Sequence, residues 1–93
     1  MKSQFHLTIS SRVTGMMIGD QGKYKNGVQK EAKVDVDVVP ISPVVGSLWT
    51  IIGERENIRL ALQYLHGIYT NTILKNGKST NRSPFLQSLL ELD

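Results

Sequence analysis

Ninety-three residues, 40% hydrophobic and 20% charged, describe one small domain with room for a single core. The absence of cysteine excludes a disulfide framework, a thiolate metal site and a cysteine nucleophile. A net charge of +3 allows an anionic partner without identifying one, and no apolar run approaches the roughly 20 residues that a membrane helix needs.

Phe5-His6-Leu7-Thr8-Ile9-Ser10 alternates apolar and polar residues, which predicts a first, half-buried strand. Ser10-Ser11 offers a helix cap, and Val13, Met16, Met17 and Ile18 supply one or two helical turns. Gly19-Asp20-Gln21-Gly22 follows as a tight turn. Lys23 to Ala32, with Val28 and Ala32 at i, i+4 spacing, predicts a second short helix weakened by Gly27. Lys33 to Val39 alternates β-branched residues with acids and gives the clearest strand in the chain. Two prolines and a glycine make Pro40–Gly46 a loop. Leu48–Ile52 is a third strand running up to Gly53, and Trp49 shares strand parity with Ile51.

Ile58, Ala61, Leu62, Leu65, Ile68, Tyr69 and Ile73 recur at three- and four-residue spacing, which predicts the longest helix over Glu54–Leu74. Glu54 and Glu56 suit its positive N-terminal end. Asn76-Gly77 is a helix stop and the residues through Arg82 form a polar linker. Ser83-Pro84 then caps a short terminal helix carrying Phe85, Leu86, Leu89, Leu90 and Leu92. The class is α+β. The charges are dispersed, with six bases and four acids in residues 1–38, two of each in 39–74, and three bases and two acids in 75–93. No basic arm exists to bind nucleic acid by charge alone, so any such function must come from a shaped site.

The succession Ile9, Gly15-Met16-Met17-Ile18-Gly19-Asp20-Gln21-Gly22, Val28, Val36-Asp37-Val38, Ile51-Ile52-Gly53, Ile58, Ala61, Leu65 and Ile68 resembles a type I KH domain over residues 5 to about 74. A lone GxxG is weak evidence. The joint occurrence of the apolar pair before the loop, the strand after it and the Gly53-led helix is far more specific. The resemblance implies a βααββα fold, a three-stranded sheet packed against three helices, with residues 1–74 as the domain. Residues 75–93 are then a linker and an added amphipathic helix. Met16-Met17 and Ala61–Leu65 are also similar to KH modules of Bicaudal-C-like regulators of messenger RNA.

The resemblance implies that the loop clamps the backbone of about four nucleotides of single-stranded RNA, whose bases are read at their edges over an apolar groove. Gly19 and Gly22 form the clamp, with Asp20, Gln21 and Lys23 at its rim. Gly15, Met16 and Ile18 come from the first helix, Lys25 from the second, and Val36 and Val38 from the second strand. Pro40–Gly46 is the opposite wall. Single-stranded DNA fits the same groove chemistry. Asp20 sets a carboxylate where a phosphate belongs, Lys25 stands where an aliphatic residue is expected, and Asp35 and Asp37 bring negative charge to the groove strand. The alternative is therefore a degenerate KH-fold module for protein interaction or dimerisation.

No catalytic constellation or metal-ligand spacing accompanies His6 and His66, so a non-enzyme without cofactor or metal is expected. Met1-Lys2-Ser3-Gln4 lacks a signal-like apolar stretch, which points to an intracellular setting, nucleus or cytoplasm. Leu48–Ile52 is apolar on both parities, and helices covering one face of the sheet would leave Leu48 and Ile52 exposed. Either the terminal helix with Phe85, Leu86, Leu89 and Leu90 folds over that surface, or a protein partner or second copy covers it. Leu86-Gln87-Ser88-Leu89-Leu90 matches LxxLL, a spacing that any short amphipathic helix produces.

Overall fold

The computed structural model describes residues 1–73 and 83–92. In chain order these form β1 (Lys2–Ile9), α1 (Ser11–Ile18), a 3-10 turn (Asp20–Gly22), α2 (Lys23–Ala32), β2 (Asp35–Ser42), β3 (Gly46–Glu54), α3 (Arg55–Thr72) and α4 (Pro84–Leu92). The proposed helix stop at Asn76-Gly77, the polar linker and the boundary at residue 74 lie outside the described residues. The sheet is antiparallel with order β1-β3-β2, so the doubly apolar strand is the central one.

Register explains which side chains reach the core. Ile9, Leu7 and Phe5 of β1 stand opposite Ser47, Trp49 and Ile51 of β3, and Val36 and Val38 of β2 stand opposite Ile51 and Trp49. Alternation puts all of these on the face that the helices cover. Trp49, Ile51, Val36 and Ile9 are buried there with Met17, Val28, Ile58, Leu62 and Leu65. Trp49 Nε1–H donates to Thr14 Oγ1 at 3.1 Å, and the Thr14 hydroxyl donates to the Ile9 carbonyl at 3.3 Å. The buried indole thus gains a partner that ties α1 to the sheet.

The strands run past the limits expected from alternation alone. β2 continues through Pro40, Ile41 and Ser42, which corrects the expected Pro40–Gly46 loop to a turn over residues 43–45. The reason lies in the strand's free edge. Val36 N–H bonds to Gln29 Oε1 of α2 at 2.8 Å, so it points away from β3. Pro40 shares that parity, and its missing N–H falls on the side where β3 needs no donor.

The terminal helix also takes an unforeseen place. Ser83 Oγ accepts from the N–H groups of Phe85 and Leu86 at 3.2 and 3.4 Å, the expected cap. α4 then runs antiparallel along α3: Phe85 meets Tyr69 near one end, and Arg55 Nη2 donates to the Leu92 carbonyl at the other. Phe85 is fully buried, with its ring edge-on to Trp49 at 5.8 Å. The helix therefore belongs to the one core rather than being appended to it, and it lies on the helical side of the sheet. It does not cover Leu48 and Ile52, which remain half-buried on the opposite face beside Thr8, His6 and Gln4.

Candidate nucleic-acid interface

The junction between α1 and α2 is short because three residues adopt left-handed backbone. Ser10 starts α1 by accepting the Val13 N–H at its Oγ, 3.4 Å away. The helix ends at Gly19, whose N–H bonds to the Gly15 carbonyl at 3.2 Å. Gly19, Gln21 and Gly22 then have φ of 78°, 55° and 76°. A side chain at Gly19 would place its Cβ 2.6 Å from Tyr24 Cδ2, so glycine is required there by both sterics and backbone. At Gly22 a Cβ would come 3.1 Å from Asn26 Nδ2.

The turn leaves two main-chain donors without a backbone partner. Gly22 N–H returns to the Gly19 carbonyl at 3.1 Å and Lys23 N–H to that of Asp20. The N–H groups of Asp20 and Gln21 have no backbone acceptor among the described residues. Successive unpaired amides in such a turn are suited to an anion. The side chains of Asp20, Gln21 and Lys23 are all exposed at the rim of the turn, and Lys23 Nζ sits 5.9 Å from the centre of the Tyr24 ring.

Two surfaces flank the loop. One is a cleft of about 310 Å3 that brings together Gly15, Met16, Gly19, Asp20 and Lys23 with Tyr24 and Thr72. Met16 is exposed there, whereas Met17 is fully buried and belongs to the core. The other is the strip between α2 and the outer edge of β2, which the Gln29–Val36 hydrogen bond joins. Lys25 is half-buried and shares a flank of α2 with Gln29, whose link to Val36 ties this flank to the strand edge. By alternation Val38 presents its main-chain N–H and C=O on the same edge as Val36.

Several expected residues sit elsewhere. The Val36 side chain is only 2% exposed, so in this site Val36 has its backbone edge to offer and its side chain serves the core. Val38 and Ile18 are half-buried and packed against that core. Asp35 and Asp37 stand opposite Ile52 and Thr50 on the sheet face away from the helices, not on the groove. The strand period settles this, because Val34 and Val36 are buried and the intervening acids must face the other way. His6 is on that far face too, with Nδ1 3.0 Å from Thr50 Oγ1.

Tyr24 and Gln29 were not legible as site residues. Tyr24 follows the loop by two positions and its ring lies against Gly19, while Gln29 is one turn beyond Lys25. Only the i, i+4 spacing of Lys25 and Gln29 hinted that both face the same strand. Among the described residues no three His, Asp or Glu side chains converge to hold a metal, and no helix is long and apolar enough to cross a membrane. No protein-family model matches the chain, and no curated protein matches its sequence.

Proposed function

We propose that this chain is a single-stranded RNA-binding module of the type I KH class, acting without catalysis or cofactor in post-transcriptional regulation of messenger RNA or its precursors. The observation that carries the reading is the Gly19–Gly22 turn, with two positive-φ glycines and two amides without a backbone partner between short helices. At Gly19 and Gly22 a phosphodiester can approach the backbone without meeting a Cβ. The surface beside it, between α2 and the edge of β2, is where bases of the same strand would lie, with Val38 offering main-chain hydrogen bonds. The order of elements and the sheet order are compatible with this assignment. Moving Asp35 and Asp37 to the far face removes two of the negative charges that weighed against it.

A titration of the isotope-labelled chain with a panel of short RNA oligonucleotides, followed by NMR, tests the proposal. Shifts should cluster at Gly15–Lys25 and along Asp35–Val39. Their absence at millimolar RNA would sink it.

The exposed Asp20 carboxylate favours the second reading, a module of this fold that has lost RNA contact. One substitution weighs the two. Replacing a charge of −1 by +1 about 6 Å from a phosphate removes a repulsion and adds an attraction of roughly 0.7 kcal/mol each in water. Asp20→Lys should therefore tighten RNA binding roughly tenfold and steepen its salt dependence, as measured by fluorescence anisotropy. Unchanged affinity would show that residue 20 does not face the phosphate chain.

A further inference from the structure

The flank of α2 that turns away from β2 carries a second groove. It lies between α2 and α3, has a volume of about 210 Å3 and is walled by Tyr24, Gly27, Val28, Tyr64 and Ile68. Lys23 stands at one end and Glu31 at the other. Small-molecule sites usually occupy about 300–1,000 Å3, so this volume suits a few apolar side chains better than a metabolite. Gly27 makes it deeper. A Cβ at residue 27 would meet nothing within 4 Å, so packing inside the domain does not demand glycine there. Glycine in the middle of a helix weakens that helix, and here it leaves the backbone open to close approach from outside.

The same chain carries a matching ridge. On α4, Leu86 and Leu90 are one turn apart and 39% and 63% exposed. The ridge cannot enter its own groove, because Phe85 against Trp49 and Tyr69, together with Arg55 against Leu92, fixes α4 along α3. We infer that the α2–α3 groove receives the Leu86–Leu90 ridge of a second copy of this chain, in a head-to-tail contact.

Charge sets the direction of docking. With α4 antiparallel to α2, Glu91 at the end of the ridge meets Lys23, and Glu31 meets the positive N-terminal end of α4. Antiparallel alignment satisfies both ends, and parallel alignment would set Glu91 against Glu31. Because groove and ridge are different surfaces, a docked pair leaves one groove and one ridge unfilled, so the association grows into short chains rather than stopping at a symmetric pair. Lys23 and Tyr24 line both this groove and the cleft beside the clamp loop, so the docked copy abuts that cleft, while the flank of α2 with Lys25 and Gln29 is left uncovered. A row of copies then displays several clamp loops, which supplies by avidity the affinity that four nucleotides per loop do not.

Sedimentation velocity of the full chain, from micromolar to millimolar, tests this through two substitutions and their mixture. Leu90→Lys alters an exposed position near a helix C-terminus, where a base is well tolerated. Gly27→Gln projects into the groove from a position with no internal neighbour. The wild-type chain should sediment progressively faster with concentration, each variant should stay monomeric, and both should keep cooperative thermal melts. An equimolar mixture of the two should give a dimer and nothing larger, since the Leu90→Lys copy retains a groove and the Gly27→Gln copy retains a ridge. A monomeric wild type at millimolar concentration, association that survives either substitution, or a monomeric mixture would each overturn the inference.

Discussion

Replacing Phe85 with alanine will lower the stability of the domain by roughly 3–5 kcal/mol, the range for emptying a fully buried aromatic site. Phe85 has no exposed surface and is edge-on to two rings, Trp49 at 5.8 Å and Tyr69 at 6.4 Å. Each such pair adds about 0.5–1.5 kcal/mol beyond area burial. Trp49 sits on the central strand and reaches Thr14 of α1 through its indole N–H, so the cavity would open beside the contact that seats the first helix. A chain of this size without disulfides has little reserve, because whole domains hold together by about 5–15 kcal/mol. Urea unfolding of Phe85→Ala, and of the chain ended after residue 82, should both show a large loss. Gln87→Ala, at an exposed position of the same helix, should change stability by less than about 0.5 kcal/mol. A Phe85→Ala loss below about 1 kcal/mol would make α4 an ornament on an otherwise complete domain.

That dependence was invisible to residue spacing. The α4 pattern of Phe85, Leu86, Leu89, Leu90 and Leu92 announces an amphipathic helix, but it contains nothing about which surface the helix will cover. Phe85 meets Trp49 across 36 positions of chain, and local patterns carry no information at that range. Where one element decides its own form, residue spacing suffices. The bounds of α2, Lys23–Ala32, follow from the glycine before it and the end of its apolar spacing. At its far end Lys33 adopts φ of 57° and closes the helix on the Gln29 carbonyl, a role that composition more often gives to glycine.

Pro40 shows the opposite failure. Proline reads as a strand breaker, and it breaks only strands whose N–H at that position is needed. Whether it is needed depends on whether β2 is central or at an edge, which follows from pairing rather than from residues 35–42 themselves. The site divides along the same line. The glycines of the turn were legible because their conformation is a local demand. Tyr24 and Gln29 were not, since one acts by lying against Gly19 and the other by reaching a strand seven residues on.

Gly46 is the second position where a small change should have a large effect. Gly46→Ala should cost on the order of 3 kcal/mol or more. Its φ is 109°, outside the range L-residues favour, and the added Cβ would lie 2.2 Å from the Ile9 carbonyl oxygen and 2.9 Å from Ser10 Cα. These are main-chain atoms, so no rotamer change relieves the overlap, and either the start of β3 or the end of β1 must move. The consequence reaches the candidate site. The Ile9 carbonyl also accepts the Thr14 hydroxyl, and Ser10 caps α1, the helix that ends in Gly19. A shift at Gly46 therefore disturbs the launch point of the helix that carries the clamp loop. Gly67→Ala provides the contrast, because a Cβ at residue 67 of α3 meets nothing within 4 Å and the change removes a helix-weakening glycine. It should stabilise the domain by about 0.4–1 kcal/mol. Chemical denaturation of the two variants should give shifts of opposite sign. If Gly46→Ala unfolded no more easily than Gly67→Ala, the close approach of β1 to β3 at Ile9 would be wrong, and with it the placement of the loop that α1 carries.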